Sequence, residues 1–272
     1  MNYKNKKAAL ILPLLLAAGS AQAQNYVPGI EAVKGAAAPG PGIYYKAYGV
    51  RYNADEADNL PSDSEVTVNA LAHRFIWVTE QKVLDADLIV EAILPMVNTD
   101  LKVGNVMKDE ESALGDLFVG SVLSWHGDRW DSVAGAGIWS PTGDDDSPAS
   151  PGKGYSELML TLGGNFYLDN AKTYSASLLS RYEKADDNDV EDNLVMEYGL
   201  GAQLSNGIEV GFAGYSEWEQ GDANSERHAA GVEASYFWPT LMTGLNFAAY
   251  KEYSSNQSFE GDQLRIALTK VF

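Results

Sequence analysis

The chain has 272 residues, with 38 acidic side chains against 19 basic ones, a formal net charge of −19 and no cysteine. That balance excludes nucleic acid as a partner, because phosphate binding needs a basic face, and the absence of thiols excludes a disulfide framework or a thiolate metal site. Beyond residue 18 no apolar run approaches the roughly 20 residues of a membrane helix, which leaves a soluble protein or a closed barrel, since only helices and barrels satisfy every backbone group in lipid.

The first residues read as an export signal. Lys4, Lys6 and Lys7 form a basic start, residues 8–18 are apolar with a break at Pro13, and Ala21-Gln22-Ala23 supplies a small-x-small cleavage pattern. Residues 1–23 are therefore expected to be a signal peptide. Residues 24–41 are rich in Gly, Ala and Pro and have no period. They are expected to be an irregular leader, periplasmic or folded into the mouth of a barrel that occupies 42–272.

From Gly42 onward, segments of period 2 alternate with turn residues. Strands are expected near 42–54, 64–80, 85–98, 114–126, 130–142, 155–169, 172–184, 191–204, 207–219, 226–238, 242–254 and 261–272. The even number and the alternation of connections predict an all-β fold, a transmembrane up-and-down antiparallel barrel of about twelve strands. Short periplasmic turns fall near 81–84, 127–129, 170–171, 205–206 and 239–241. Longer extracellular loops fall near 55–63, 99–113, 143–154, 185–190, 220–225 and 255–260. Pro95 predicts a bulge or an early end in its strand.

Tryptophans near strand ends predict interfacial girdles: Trp77, Trp125, Trp130 and Trp238 on the short-turn side, Trp139 and Trp218 on the loop side, with Tyr52, Tyr155, Tyr182 and Tyr253 extending the outer belt. Alternation then sorts the faces. Leu194, Met196, Tyr198 and Leu200 oppose Glu197, and Ile208, Val210 and Phe212 oppose Glu209 and Glu217. A charge facing lipid at the midplane costs roughly 2–4 kcal/mol for Arg or Lys. Glu91, Glu157, Arg181, Glu197, Glu209, Arg227, Glu233 and Arg265 are therefore expected to line the lumen, while the faces of His73 and Arg74 stay open. The excess of carboxylates in that set favours neutral or cationic solutes over anions. The last strand sets Leu264, Ile266, Leu268 and the terminal Phe272 on one face, with Lys270 near the interface. A final aromatic resembles the mark by which the outer-membrane assembly machinery takes its clients.

Several short motifs resemble the outer-membrane family of the meta-pathway of phenol degradation. They are Pro39-Gly40-Pro41-Gly42-Ile43-Tyr44 leading to Tyr48, Tyr52 and Ala54-Asp55; Leu94-Pro95-Met96-Val97-Asn98; Gly115-Asp116-Leu117; Ser140-Pro141-Thr142-Gly143-Asp144; Arg181-Tyr182-Glu183; and Gly214-Tyr215-Ser216-Glu217-Trp218. Together they span nearly the whole chain after the leader. The resemblance implies a channel in the Gram-negative outer membrane, linked with uptake of aromatic or other hydrophobic compounds, and carries no catalytic residues.

No motif points to an enzyme. His73, His126 and His228 are the only histidines; none is followed two residues on by a serine, and there is no Gly-x-Ser-x-Gly or His-Glu-x-x-His. The acidic outer loops, above all Asp144, Asp145 and Asp146 with Asp186, Asp187 and Asp189, suit a solvated rim, or oxygen ligands for Ca²⁺ and bridging to lipopolysaccharide. Two functions follow: a channel for small hydrophobic or aromatic solutes, or a non-conducting structural or adhesive barrel whose acidic loops bind a cation or surface partner.

Overall fold

A computed structural model describes residues 25–57, 60–221 and 225–272. The expected signal peptide at 1–23 lies outside the described residues. Thirteen strand segments form one antiparallel sheet: β1 (Gly42–Ala57), β2 (Glu65–Val83), β3 (Ala86–Val103), β4 (Met107–Leu114), β5 (Leu117–His126), β6 (Trp130–Ser140), β7 (Glu157–Tyr167), β8 (Tyr174–Ala185), β9 (Asp192–Gln203), β10 (Ile208–Gln220), β11 (Glu226–Trp238), β12 (Thr243–Asn256) and β13 (Phe259–Val271). β1 pairs with both β2 and β13, with Tyr48 opposite Ala72 on one side and Ala267 on the other. The sheet thus closes on itself as a twelve-stave barrel, β4 and β5 forming one stave.

Pro95 explains the break in that stave. β5 pairs with Asp87–Ile93 of β3, and β4 with Met96–Val103. A strand residue aims its N–H and C=O at the same neighbour, so the missing N–H of Pro95 faces Gly115 and Asp116, where the stave bulges. Its carbonyl is still used, accepting from Gly115 N at 2.9 Å. The strand continues through the proline instead of ending there. The expected loop at 99–113 is therefore mostly an extended hairpin, turning at 104–106, and the expected loop at 255–260 shrinks to residues 257 and 258.

The outside is apolar. Leu162 is 65 % exposed and Phe212 72 %, and Leu71, Val119, Leu178, Leu264, Ile266 and Leu268 share that face. Such a skin has no place in water over a whole cylinder. Trp77, Trp130 and Trp238 project outward at the short-turn end, and Trp218 meets His228, which stacks on Tyr253, at the other. Two aromatics depart from the expected girdle. Trp139 is buried against Phe118, and Tyr52 donates inward to Glu252. Both sit on strand positions whose parity aims them at the lumen.

Candidate functional site

The leader fills the lumen. It begins beside Glu157 and Glu183, at the loop ends of β7 and β8, and runs to Gly42 at the short-turn end. Asn25 Nδ2 donates to Glu157 at 3.0 Å, and Tyr26 N to Glu183 at 3.2 Å. Glu197 takes four donors: Tyr26 OH at 2.5 Å and the backbone N–H groups of Gly29, Ile30 and Glu31 at 3.0, 3.2 and 2.7 Å. Arg265 donates to the carbonyls of Gly29 and Ile30 and pairs with Glu233 at 3.1 Å. Lys34 reaches Glu209 at 2.5 Å. A buried carboxylate or guanidinium is costly unless paired and hydrogen-bonded, and here a segment without regular structure supplies the partners.

Glycines make the room. A Cβ on Gly199, Gly201 or Gly211 would come within 2.9 Å of Val33, so these three positions on β9 and β10 form the groove that seats the leader. Lower in the lumen, Glu31 pairs with Lys46 at 2.9 Å and with Arg74 at 2.5 Å and accepts from Tyr48 OH. Burial alone would raise the Glu31 carboxyl, but Lys46, Arg74 and the Tyr48 hydroxyl outweigh it and hold the group well below the usual carboxylate range.

Of the eight charged residues singled out in the sequence, Glu157, Glu197, Glu209, Glu233 and Arg265 touch the leader directly. Arg181 stacks over the Tyr26 ring, 4.5 Å from its centroid. Glu91 acts through Arg74, at 2.5 Å. Arg227 stands apart, nearer the loop end, bonded to Glu217 and 3.7 Å from Glu252. Arg74 points inward and His73 outward, where it bonds Tyr45 OH at 2.6 Å. The leader's Glu31 and Lys34 escape sequence reasoning because no period marks them. Glu183, Glu217 and Glu252 carry the inward parity and were legible by the same alternation.

The motifs at 115–117 and 140–144 form one knot. The buried carboxylate of Asp116 accepts from Gly143 N at 2.9 Å and Lys153 N at 3.0 Å. Leu117 N donates to Thr142 Oγ1, and Asp144 N to Leu114 O. The segment 141–156 is thereby drawn over the loop end of the lumen. Burial pushes the Lys153 ammonium down to about 8, against Glu157, Asp116 and Glu183, which pull it up.

Two cavities flank the leader. The outer one, about 190 Å³, is floored by Tyr26, Pro28 and Ile30 and walled by Val50, Val66, Val68, Ala70, Ile93 and Val97 of β1–β3. The inner one, about 480 Å³, lies between Ala37, Pro39 and the short-turn ends of the strands. Arg74, Glu91 and Arg181 line both and stand between them.

The loop carboxylates do not converge. Asp144 accepts from Asp146 N and Ser150 Oγ, Asp186 from Ser156 N, and Asp187 from Asp189 N; a Cβ on Gly154 would collide with Asp145. Among the described residues no group of three or more His, Asp or Glu is placed to share an ion. One Ser–His–Asp arrangement exists that sequence reasoning missed by looking for serine after the histidine: Ser124 Oγ lies 3.2 Å from His126 Nε2, and His126 Nδ1 2.8 Å from Asp131. The same Nε2 is 3.5 Å from Asp87, Ser124 is buried, and neither cavity reaches it. The group ties β3, β5 and β6 together at the short-turn end.

A closed cylinder with an apolar skin and a charged, occupied lumen is the architecture of the channels of the Gram-negative outer membrane. The chain belongs to the family described as "Putative MetA-pathway of phenol degradation", whose model matches residues 50–268. It is similar to the COG4313 outer membrane channel from Pseudomonas putida F1, at 17 % identity over 91 % of this chain and 100 % of that one, with a TM-score of 0.78. The translocator domain of the autotransporter NalP from Neisseria meningitidis gives a TM-score of 0.56 at 12 % identity, over 85 % of this chain and 89 % of that one. The transport unit of the autotransporter AIDA-I from Escherichia coli also gives 0.56, at 9 % identity over 95 % and 97 %. At these identities the likeness is one of fold. No curated protein matches the chain.

Proposed function

We propose that this protein is an outer-membrane channel that passes small hydrophobic or aromatic compounds, with residues 25–38 as a seated plug. The observation that carries the reading is the pair of cavities on either side of the leader, with Arg74, Glu91 and Arg181 between them, inside an apolar-skinned cylinder. Family membership and the channel named in the Pseudomonas putida likeness support it. Export by the signal at 1–23, insertion through recognition of Phe272, and contact of the acidic rim with lipopolysaccharide or Ca²⁺ belong to the same proposal. Catalysis has no part in it. Planar-bilayer recordings on the refolded protein, with and without residues 25–38, test the channel. Small conductance in the full chain and a large one after deletion are expected. No ion or solute flux from either form would instead support a non-conducting structural barrel.

A further inference from the structure

The outer cavity gathers several donor side chains against an apolar wall. Its charged lining is Arg74, Lys153, Arg181, Arg227 and Glu91; Arg74 is engaged by Glu91 and Glu31, and Arg227 by Glu217 and Glu252. Three of its lining side chains are more than nine-tenths buried and carry a polar atom without a hydrogen-bond partner: Arg181 Nε, Trp139 Nε1 and Thr99 Oγ1, at 5, 3 and 1 % exposure. Arg181 spends Nη1 on Thr161 at 2.8 Å and its face on Tyr26, and among the described residues no carboxylate pairs with it. Buried polar groups without partners are rare, and several on one cavity mark a place for a ligand's acceptors. The opposite wall, from β1 to β3, is aliphatic.

We infer that the outer cavity binds an aromatic or similarly apolar carboxylate, its body against the β1–β3 wall and its carboxylate on Arg181 and Trp139. This rests on the channel reading and narrows its solute class. It also reverses the preference for neutral or cationic solutes read from the sequence, because Glu157, Glu197, Glu209 and Glu233 are engaged by the leader and Glu91 by Arg74. A guanidinium edge matches a carboxylate with two donors and holds it more strongly than it holds a neutral oxygen. A cavity of about 150 Å³ suffices for benzene, so the ring fits.

Equilibrium dialysis of the full-length protein in detergent against benzoate, benzyl alcohol and benzylamine tests the site without requiring transport. Benzoate is expected to bind about tenfold or more tighter than either analogue, the fold-change of one charge-assisted hydrogen bond. Arg181→Met should remove that preference while leaving benzyl alcohol binding intact, and Trp139→Phe should reduce it with the cation still in place. If Arg181→Met does not fold, Trp139→Phe decides. Equal binding of the three probes, or an unchanged ratio in the variants, overturns the inference. Bilayer recordings on the same samples keep the two readings apart. Conductance without benzoate preference removes only the site, and benzoate binding without conductance removes only the channel.

Discussion

Replacing Glu197 by alanine should release the leader. The carboxylate takes four donors from residues 26–31, and a hydrogen bond to a charged group is worth roughly 1.5–3 kcal/mol. The four share one charge, so they do not add. Counting two at the lower bound gives about 3 kcal/mol, and with tenfold per 1.4 kcal/mol the unseated population rises about a hundredfold. Two assays read this. Single-channel recording should show long openings absent from the parent protein. Limited trypsin digestion followed by mass spectrometry should cut after Lys34, which the lumen otherwise shields beside Glu209. Glu197→Gln, which keeps an acceptor oxygen, should fall between. A folded, heat-modifiable Glu197→Ala barrel with unchanged conductance and an uncut Lys34 would refute the argument that this carboxylate holds the plug.

Asp116→Ala leaves Gly143 N and Lys153 N without their acceptor. The segment 141–156 should become protease-sensitive and the outer entrance wider, read as faster uptake in swelling assays; unchanged protection contradicts the knot. Lys153, held near 8, disfavours its charged form in the fold. The sign follows: the fold is penalised below about pH 8 and the penalty fades as pH rises towards the ordinary lysine value of about 10.5. The outer cavity also loses a positive charge over the start of that window, so reversal potentials should drift towards cation preference from pH 7 to 9, and Lys153→Met should abolish the drift. Leu84 and Asp85 form the two-residue β2–β3 turn with φ of 53° and 64°, a conformation costing a non-glycine residue roughly 1–2 kcal/mol. Leu84→Asn with Asp85→Gly should raise the unfolding midpoint in urea, since Asn-Gly suits such turns; a lower midpoint shows that the exposed Leu84 side chain has a role of its own.

The barrel was legible because one face of every stave meets lipid. Period-2 alternation placed Glu197 against Leu200 and Glu233 against Val232 with no knowledge of the sheet, and a one-residue slip would have put charges in hydrocarbon. Strand lengths at the loop end were not legible. No residue of β4 is buried, so its alternation carries no apolar face, and Asp109, Glu110 and Glu111 read as loop although they lie in a strand. The leader was illegible for a different reason. Its conformation is imposed by side chains far along the sequence, such as Glu197, Glu233 and Arg265, and Glu31 or Lys34 carries no local sign of that. Trp139 and Tyr52 misled because proximity to a strand end was read as interface, when parity had already turned them inward.

The leader bridges the seam of the cylinder. Lys46 and Tyr48 of the first stave meet Glu31, while Gln263 and Arg265 of the last meet Pro28, Gly29 and Ile30. Those two staves are the pair whose zippering completes the wall. A seam joined two residues out of step would carry Arg265 about 7 Å from the carbonyls it holds, at 3.4 Å per residue. Correct register at the seam and a seated leader are therefore coupled, because the same side chains serve both.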